Sequence, residues 1–266
     1  MRPVSILIIA FTFAACSASK KNIGHSSPDQ LVIDGKLWSS VFQQRAAEYK
    51  ALCLQAYNLA RLRVNESLNM PPGKPKAIIT DIDETFLDNS PYAVHQALAG
   101  KDFDAATWLE WTSKAAADTI TGALSFFNYA ASKNIEIFYI TNRDEKDKAA
   151  TLKNLQRFNF PFADNDHLMV RENTPGKEER REKVAASHDI LLLLGDNLSD
   201  FSDLFDKKTE EERNKNVNIL ADEFGRKFII LPNFNYGGWE DAIYQNSRNR
   251  TLAQKDSLIK ASLKGY

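Results

Sequence analysis

Seven polar side chains of this sequence follow predicted buried strands or open a predicted helix. They are Asp81, Asp83, Thr141, Asn142, Lys177, Asp196 and Asp200. Because the carboxyl ends of parallel strands lie at one edge of a sheet, we expect these side chains to converge there. Carboxylates packed this closely repel one another. A hard divalent cation such as Mg²⁺, which takes oxygen ligands, would relieve the repulsion, so the sequence predicts a magnesium site.

A single acidic residue at such a place has an ordinary structural explanation, because aspartates often cap helices and turns. Asp200 taken alone would fit that explanation. Four aspartates at the ends of two strands, in this order along the chain, are much harder to explain as caps.

The spacing of Asp81 and Asp83 suits chemistry that needs two carboxyl groups. On a chain leaving a strand, one of them can face a metal while the other reaches the far side of a substrate group. That arrangement permits a nucleophile and a separate acid/base. The hydroxyl of Thr141, the amide of Asn142 and the compact positive charge of Lys177 would suit a tetrahedral dianion such as phosphate.

Buried strands alternate with helices along the chain. The predicted strands are Lys76–Asp81, Ile135–Thr141, Asp189–Leu194 and Phe228–Leu231. The predicted helices are Leu37–Leu68, Asp102–Ala117, Gly122–Ser132, Glu145–Phe158 and Lys177–Ser187, and the charged run Asp206–Asn216 is interpreted as a solvated helix face. This alternation predicts an α/β fold with a doubly wound, mainly parallel sheet covered by helices on both faces.

The first residues differ from the rest in composition. Arg2 is followed by the apolar run Val4–Ala15, whose 12 residues are fewer than the roughly 20 that span a membrane. The pattern predicts a secretory signal over residues 1–15. Cys16, directly after two alanines, favours a lipoprotein signal, in which the cysteine carries a lipid that anchors the protein to a membrane. An ordinary signal peptide with a cysteine there by chance is the alternative.

The domain organisation follows from this leader. Residues 16–36 are predicted to be a tether between the membrane and the domain. Residues 37–266 are predicted to form the folded domain, with a helical cap inserted near residues 92–120.

The composition is typical of a globular protein, with 43% hydrophobic and 26% charged residues in a chain of 266. The net charge is −1, so there is no basic excess to bind nucleic acid. Of the two cysteines, Cys53 lies in an apolar helical stretch and is expected to be a buried hydrophobic residue. If Cys16 carries a lipid, no intramolecular disulfide can form.

Short segments of the chain resemble the four motifs of the haloacid dehalogenase superfamily. They are DIDET at Asp81–Thr85, ITNR at Ile140–Arg143, Lys177, and GDNLSD at Gly195–Asp200. Longer segments are similar to the class C acid phosphatases, the lipoprotein 5'-nucleotidase family of bacterial outer surfaces. They are DIDETFLDNSPY (Asp81–Tyr92), ATWLEWTSKA (Ala106–Ala115), FYITNR (Phe138–Arg143), LGDNLSDF (Leu194–Phe201) and LPNFNYGGWE (Leu231–Glu240). This resemblance implies a Rossmann-like core with a small helical cap.

The resemblance also implies a mechanism. Asp81 would attack phosphorus and form an aspartyl-phosphate. Asp83 would protonate the leaving oxygen and then take a proton from the water that hydrolyses the intermediate. Mg²⁺ would be held by the carboxylate of Asp81, the backbone carbonyl of Asp83 and the carboxylate of Asp196, with Asp200 completing the site.

Substrate binding is implied for residues beside these aspartates. Lys177 would help to neutralise the charge of the phosphoryl group, and Thr141 would fix the orientation of that group. Trp108 and Tyr236 match positions that stack on a nucleobase in the family, whereas we expect Trp111 to pack within the cap. The implied substrates are nucleoside monophosphates and similar phosphomonoesters.

The resemblance implies an exported protein at the bacterial outer membrane, facing the periplasm or the cell surface. An acid phosphatase with little preference for a base would use the same chemistry. The alternative from another class is a surface lipoprotein that binds haem or another nutrient with little or no catalysis, and the retained Asp81 argues against it. The sequence leaves open whether the chain forms a homodimer.

Overall fold

The computed structural model describes residues 30–69, 71, 73–247 and 249–266. Its helices are α1 (Leu31–Arg45), α2 (Ala47–Ser67), α3 (Ser90–Leu98), α4 (Ala105–Ser113), α5 (Ala123–Ala131), α6 (Lys148–Arg157), α7 (Glu178–Ser187), α8 (Glu210–Ile219), α9 (Gly238–Ile243) and α10 (Leu252–Ser262). Its strands are β1 (Lys76–Thr80), β2 (Leu87–Asp88), β3 (Asp118–Thr119), β4 (Glu136–Asp144), β5 (Leu168–Arg171), β6 (Asp189–Gly195) and β7 (Phe228–Ile230). The predicted signal and Cys16 lie outside the described residues.

Five of these strands form one parallel sheet in the order β5-β4-β1-β6-β7. Thr80 at the end of β1 pairs with Tyr139 of β4 on one side and with Leu194 of β6 on the other. Later strands are therefore added on both sides of β1, which places the topological switch point at its carboxyl end. The predicted doubly wound parallel sheet is confirmed.

Hydrophobic side chains cover both faces of the sheet. On one face, helices α2, α5 and α6 pack into a cluster that contains Ile78. On the other face, Val184 of α7 packs into a cluster that contains Ile79. Successive side chains of a strand point to opposite faces, so these two neighbours belong to different clusters. Cys53 is fully buried in the first cluster, as expected for a hydrophobic residue.

The single helix predicted over Leu37–Leu68 is two helices in the structure. Ala46 has an extended backbone (φ −82°, ψ 129°) that separates α1 from α2. Helix α2 packs on the sheet, whereas α1 packs against α3 and the loop after β7. There the Lys36 ammonium group donates to the carbonyl of Asn235 at 2.9 Å. No glycine or proline marks the break, and we attribute it to these tertiary contacts.

Helix α1 begins at Leu31, within the segment 16–36 that the sequence predicts to be a tether. The buried carboxylate of Asp256 in α10 accepts hydrogen bonds from the backbone N–H groups of Leu31 and Val32, each at 3.0 Å. A carboxylate at a helix N-terminus satisfies free donors and suits the helix dipole. The folded part of the chain therefore begins before the predicted boundary at residue 37.

A helical cap, defined here as residues 90–120, lies between β1 and α5 and contains α3 and α4. Asp104 begins α4, and its side chain accepts from the backbone N–H groups of Ala106 at 3.1 Å and Thr107 at 3.0 Å. The helix predicted to reach Ala117 is shorter, because the chain turns at Ala115, which has a φ of 49°.

The sequence pattern does not predict β5 or α10. Strand β5 is a four-residue edge strand, too short for its periodicity to be distinctive. Helix α10 is mostly exposed and is held through contacts such as that of Asp256 with α1. Within the described part of the chain, we find no helix with both the length and the apolar character needed to cross a membrane.

Candidate active site

Three aspartates meet at the carboxyl edge of the sheet. Strands β1 and β6 are neighbours, and they end one residue before Asp81 and Asp196. Asp200 lies in the short helical turn that follows β6. Each of the three offers a carboxylate oxygen, and these oxygens lie within 4.8 Å of one another. The convergence predicted from the strand ends is therefore present.

The position of Asp200 requires a glycine at residue 195. A Cβ atom on Gly195 would lie 2.4 Å from both the Cβ and the Oδ2 atoms of Asp200. The Oδ2 atom also accepts from the backbone N–H of Asn197 at 3.1 Å. Arg181 of α7 donates to the carbonyl of Asp200 at 2.9 Å. The segment after β6 is thus folded back so that Asp200 faces Asp196.

Lys177 directly precedes α7 and faces the same group of carboxylates. Its buried ammonium group contacts Asp81 and lies 2.7 Å from Asp200. Burial lowers the pKa of Lys177, but the two carboxylates outweigh this effect and raise it. Helix α7 is held against the sheet edge by Arg180, which donates to the carbonyl of Thr141 at 2.6 Å.

The three carboxylates carry more charge than Lys177 can neutralise. Burial raises the pKa of Asp81 to about 7; Lys177 opposes this shift, and Asp200 and Asp83 add to it. Burial also raises the pKa of Asp196, and the nearby Asp200 and Asp81 raise it further. Buried oxygen ligands with an excess of negative charge fit a divalent cation, which would stabilise their ionised forms.

Asp83 lies beside this group and is held by hydrogen bonds from two side chains. The guanidinium group of Arg143 donates through Nη2 to Oδ1 at 2.7 Å and through Nε to both carboxylate oxygens at 3.1 Å. The side-chain amide of Asn89 donates to Oδ1 at 2.8 Å. The Asp83 side chain lines the same cavity as Asp81, which suits a separate acid/base group.

Thr141 and Asn142 occupy different positions around the site. Thr141 is fully buried, and its hydroxyl accepts from the backbone N–H of Arg143 at 3.1 Å. It is not among the described residues that line the cavity, so its role in orienting a phosphoryl group stays a prediction. Asn142 does line the cavity, and its Oδ1 accepts from Arg180 at 2.9 Å.

Glu84 joins the loop after β1 to the loop after β7. It is buried with a φ of 55°, and it accepts hydrogen bonds from the hydroxyl of Tyr236 and from the backbone N–H of Asn89 at 2.8 Å. Burial and the charge of Asp83 raise the pKa of Glu84 to about 8, against the effect of these two hydrogen bonds. Glu84 therefore fixes the ring of Tyr236 beside the aspartates.

A cavity of about 590 Å³ is lined both by these strand-end residues and by the cap. Trp108 and Tyr236 both line it, as do Tyr92 and Phe103 of the cap. Trp108 packs edge-on against Tyr92, with ring centroids 5.1 Å apart, and lies 6.1 Å from Phe103. Trp111 is a packing residue, but it packs against the main hydrophobic core and not only within the cap as expected. The two aromatic residues predicted to contact a base thus share a cavity with Asp81.

Four residues that hold the aspartates are outside the set predicted to bind metal or substrate, although Thr85 was expected to support the site. The hydroxyl of Thr85 lies 3.1 Å from Oδ1 of Asp196, and the amide of Asn233 donates to Oδ2 at 2.7 Å. Arg143 and Asn89 hold Asp83 in the same way. All four lie in the segments that carry the family resemblance. Their closeness in sequence to the motifs is the feature from which they could have been predicted.

Comparison with known proteins agrees with this geometry. The family described as HAD superfamily, subfamily IIIB (acid phosphatase), matches residues 14–239. The structure of the class C acid phosphatase from Bacillus anthracis is similar with a TM-score of 0.85 and 40% identity, covering 88% of this chain and 99% of that one. The structure of the Bacillus anthracis class C enzyme with tungstate bound is similar with a TM-score of 0.86 and 39% identity, covering 89% of this chain and 99% of that one.

A plant protein is a more distant relative. Acid phosphatase 1 of Solanum lycopersicum is 27% identical over 133 residues, which cover 47% of this chain and 51% of that protein. The chain thus spans about half the length of this curated relative. From the family match and the two bacterial structures, we conclude that this chain belongs to the acid phosphatases of HAD subfamily IIIB, a family of phosphoric monoester hydrolases.

Proposed function

We propose that this chain is a Mg²⁺-dependent acid phosphatase that hydrolyses phosphomonoesters through an aspartyl-phosphate on Asp81. The observation that carries the proposal is the contact of Asp81 with the buried ammonium group of Lys177, at the edge of a cavity and beside two further carboxylates. A carboxylate that attacks a dianionic phosphate needs positive charge close by, and it must face a space that admits the substrate. Asp81 satisfies both conditions.

The proposed reaction has two steps. In the first, a carboxylate oxygen of Asp81 bonds to phosphorus as the bond to the leaving oxygen breaks, and the leaving oxygen takes a proton from Asp83. In the second, water attacks the phosphorus of the aspartyl-phosphate, gives a proton to Asp83, and the Asp81 carboxylate is released. Asp83 is thus first an acid and then a base, and both side chains return to their starting states.

The carboxylates of Asp81, Asp196 and Asp200, with the backbone carbonyl of Asp83, would hold the Mg²⁺. When bound, the ion supplies positive charge that neutralises the phosphoryl oxygens. The support for magnesium is the chemistry of the donors, since a hard cation prefers a set of oxygen ligands. The hydrogen bond from Asn233 fixes the orientation of Asp196 within this set.

Nucleoside monophosphates are the substrates that the cavity supports best. Its volume of about 590 Å³ is in the range of small-molecule sites. Trp108 and Tyr236 offer aromatic surface in the same cavity as Asp81, and stacking of a base on such a ring contributes about 1–3 kcal/mol. A bacterial relative has been solved with tungstate, an oxyanion with the shape of phosphate.

We also propose that the protein is exported and anchored by a lipid on Cys16 at the bacterial outer membrane. The support is the apolar run Val4–Ala15 ending directly before Cys16. A leader of this kind carries no information on assembly, and the homodimer stays a prediction that sedimentation analysis can test.

A phosphatase panel tests the proposed activity. The purified protein would be assayed with AMP and with ribose 5-phosphate, first with Mg²⁺, then with EDTA, then with Mg²⁺ restored. We expect hydrolysis that EDTA abolishes and Mg²⁺ restores, with a lower KM for AMP. Equal kinetics on the two substrates would instead indicate a broad acid phosphatase.

Asp81→Asn is the matched control for this panel, because it removes the attacking charge and keeps the shape of the side chain. Its inactivity would exclude a contaminating phosphatase. Tight binding of haem by a wild-type protein that turns over neither substrate would favour the nutrient-binding lipoprotein over the proposed enzyme.

A further inference from the structure

Two nitrogen atoms of the Arg143 guanidinium group donate hydrogen bonds to the carboxylate of Asp83. Its Nη2 atom donates to Oδ1 at 2.7 Å, and its Nε atom lies 3.1 Å from both Oδ1 and Oδ2. An arginine that contacts both oxygens of a carboxylate fixes the plane of that group as well as its position. A single-point contact, such as a lysine would make, would leave the carboxyl group free to rotate.

The guanidinium group is itself fixed from behind. Its Nη1 atom donates to the hydroxyl of Thr151 on α6 at 3.1 Å, and that hydroxyl donates to the carbonyl of Asp147 at 2.8 Å. The Arg143 side chain is only 2% exposed, compared with 15% for Asp83. Helix α6 and the turn before it therefore determine where the arginine presents its donors.

The two oxygens of Asp83 are not equivalent. Oδ1 accepts from Arg143 Nη2 at 2.7 Å and from Asn89 Nδ2 at 2.8 Å, in addition to the longer contact with Nε. Among the described residues, Oδ2 has a hydrogen bond only from Arg143 Nε, at 3.1 Å. Oδ1 is therefore the anchored oxygen, and Oδ2 is the oxygen with room to carry a proton.

We propose that Arg143 is a positioning residue that fixes Asp83 for proton transfer between its Oδ2 atom and the leaving oxygen of the substrate. The inference rests on the acid/base role of Asp83 in the proposed function. As the bond from phosphorus to the leaving oxygen breaks and the bond to Asp81 forms, the Oδ2–H bond breaks and its proton goes to the leaving oxygen. The carboxylate left behind keeps both contacts with Arg143. Water returns the proton in the second step.

This role predicts a dependence on the leaving group. The alkoxide that leaves ribose 5-phosphate is strongly basic and needs a proton as it departs. The dinitrophenolate that leaves 2,4-dinitrophenyl phosphate is weakly basic and departs without one. Misplacing Asp83 should therefore slow phosphoryl transfer to Asp81 far more for the first substrate than for the second, whereas general damage to the site would slow this step for both. Hydrolysis of the aspartyl-phosphate is common to the two substrates, so the comparison must be made on the phosphorylation step.

Three variants with one control test the proposal. Arg143→Gln removes both the positive charge and the two-atom contact with the Asp83 carboxylate. Arg143→Lys keeps the charge without that contact, and Thr151→Val removes the hydroxyl that holds the guanidinium group. The control is Arg157→Gln, which changes an exposed arginine at the end of α6. Each protein would be assayed with Mg²⁺ on both substrates, and folding would be checked by thermal melting. The readout is kcat/KM, which covers the steps up to phosphorylation, with kcat and KM also measured separately.

General acid catalysis contributes about 10²–10⁴-fold, so we expect Arg143→Gln to lower kcat/KM on ribose 5-phosphate by about 100-fold. On 2,4-dinitrophenyl phosphate the loss of kcat/KM should be no more than about threefold, because its leaving group departs without a proton. Arg143→Lys should show the same selectivity to a smaller degree, because it restores the charge without the geometry. Thr151→Val should show a selective loss of about fivefold, and it keeps the test informative if the buried Arg143→Gln change prevents folding.

Equal losses on both substrates in the folded variants would overturn the proposal. So would a rise in KM for both substrates with kcat intact, which would make Arg143 a substrate-binding residue. Asp83→Asn separates this failure from failure of the proposed function. If Asp83→Asn is selective and the Arg143 and Thr151 variants are not, only the positioning role is wrong. If Asp83→Asn itself lowers kcat/KM equally for both substrates, the acid role of Asp83 is wrong.

Discussion

Gly195→Ala is the change whose effect can be worked out most directly from the structure. The added methyl group would lie 2.4 Å from Cβ, 2.4 Å from Oδ2 and 2.7 Å from Cγ of Asp200. Carbon atoms in contact are normally about 3.5–4.0 Å apart, so a gap of about 1 Å or more must open. Because Cβ lies next to the backbone, rotation of the carboxylate cannot relieve the clash. Asp200 must therefore move as a whole, which disturbs its contact with Lys177.

We expect this displacement to affect both stability and activity. Overpacking of this kind costs about 1–3 kcal/mol of folding free energy. A shift of about 1 Å in a catalytic group can cost about 100-fold in rate, so kcat/KM for AMP at fixed Mg²⁺ should fall by about that factor. Part of the loss should be recovered at high Mg²⁺, because a displaced ligand weakens metal binding without removing it.

The assay combines thermal melting with a Mg²⁺ titration of AMP hydrolysis. Gly35→Ala is the matched control, since a Cβ atom at Gly35 in α1 meets nothing within 4 Å. Replacing a helical glycine by alanine should leave activity unchanged and raise stability by about 0.5–1 kcal/mol. A Gly195→Ala protein with the wild-type melting temperature and the wild-type Mg²⁺ dependence would refute the packing argument.

Three further predictions address the metal, the base and the anchor. Asp196→Ala should weaken Mg²⁺ binding at least about tenfold, since loss of even a residue that only hydrogen-bonds to a metal ligand has an effect of that size. The same change should raise the melting temperature of the metal-free protein at neutral pH. The pKa of Asp196 is higher in the folded protein than in the unfolded chain, so at neutral pH its negative charge destabilises the folded state, and removing it should stabilise that state. An unchanged Mg²⁺ titration would show that Asp196 is not a ligand. Tyr236→Ala and Trp108→Ala should each raise KM for AMP about tenfold, the low end of the stacking energy, with little change for ribose 5-phosphate; equal losses on both substrates would give these rings a structural role. Cys16→Ser should move the protein out of the membrane fraction, and retention there would point to another anchor.

The positions of the catalytic candidates could be predicted because strand order along the chain determines them. Asp81 and Asp196 each follow a buried apolar strand, and the carboxyl ends of parallel strands share one edge of the sheet. Lys177 was found in the same way, because it opens a helix between those strands. These inferences needed the type and the order of the elements, but not their packing.

The contacts that orient these side chains could not be predicted by the same reasoning. Arg143 and Asp83, which form an ion pair, are 60 positions apart in the sequence, and Asp196 accepts a hydrogen bond from Asn233 in a distant loop. Such contacts depend on side-chain geometry that no periodicity records. The break at Ala46 is similar, because continuous helical composition runs through it. We attribute the separation of the two helices to the packing of α1 on α3 and on the loop after β7.

The central claim is that Asp81 becomes covalently phosphorylated. The direct measurement is to mix enzyme with AMP and Mg²⁺, quench in acid within one turnover, and locate the phosphoryl group by peptide mass spectrometry. We expect it on the peptide that contains Asp81, and we expect Asp81→Asn to show neither the modified peptide nor turnover. A phosphoryl group on another residue, or near wild-type turnover by Asp81→Asn, would contradict the account.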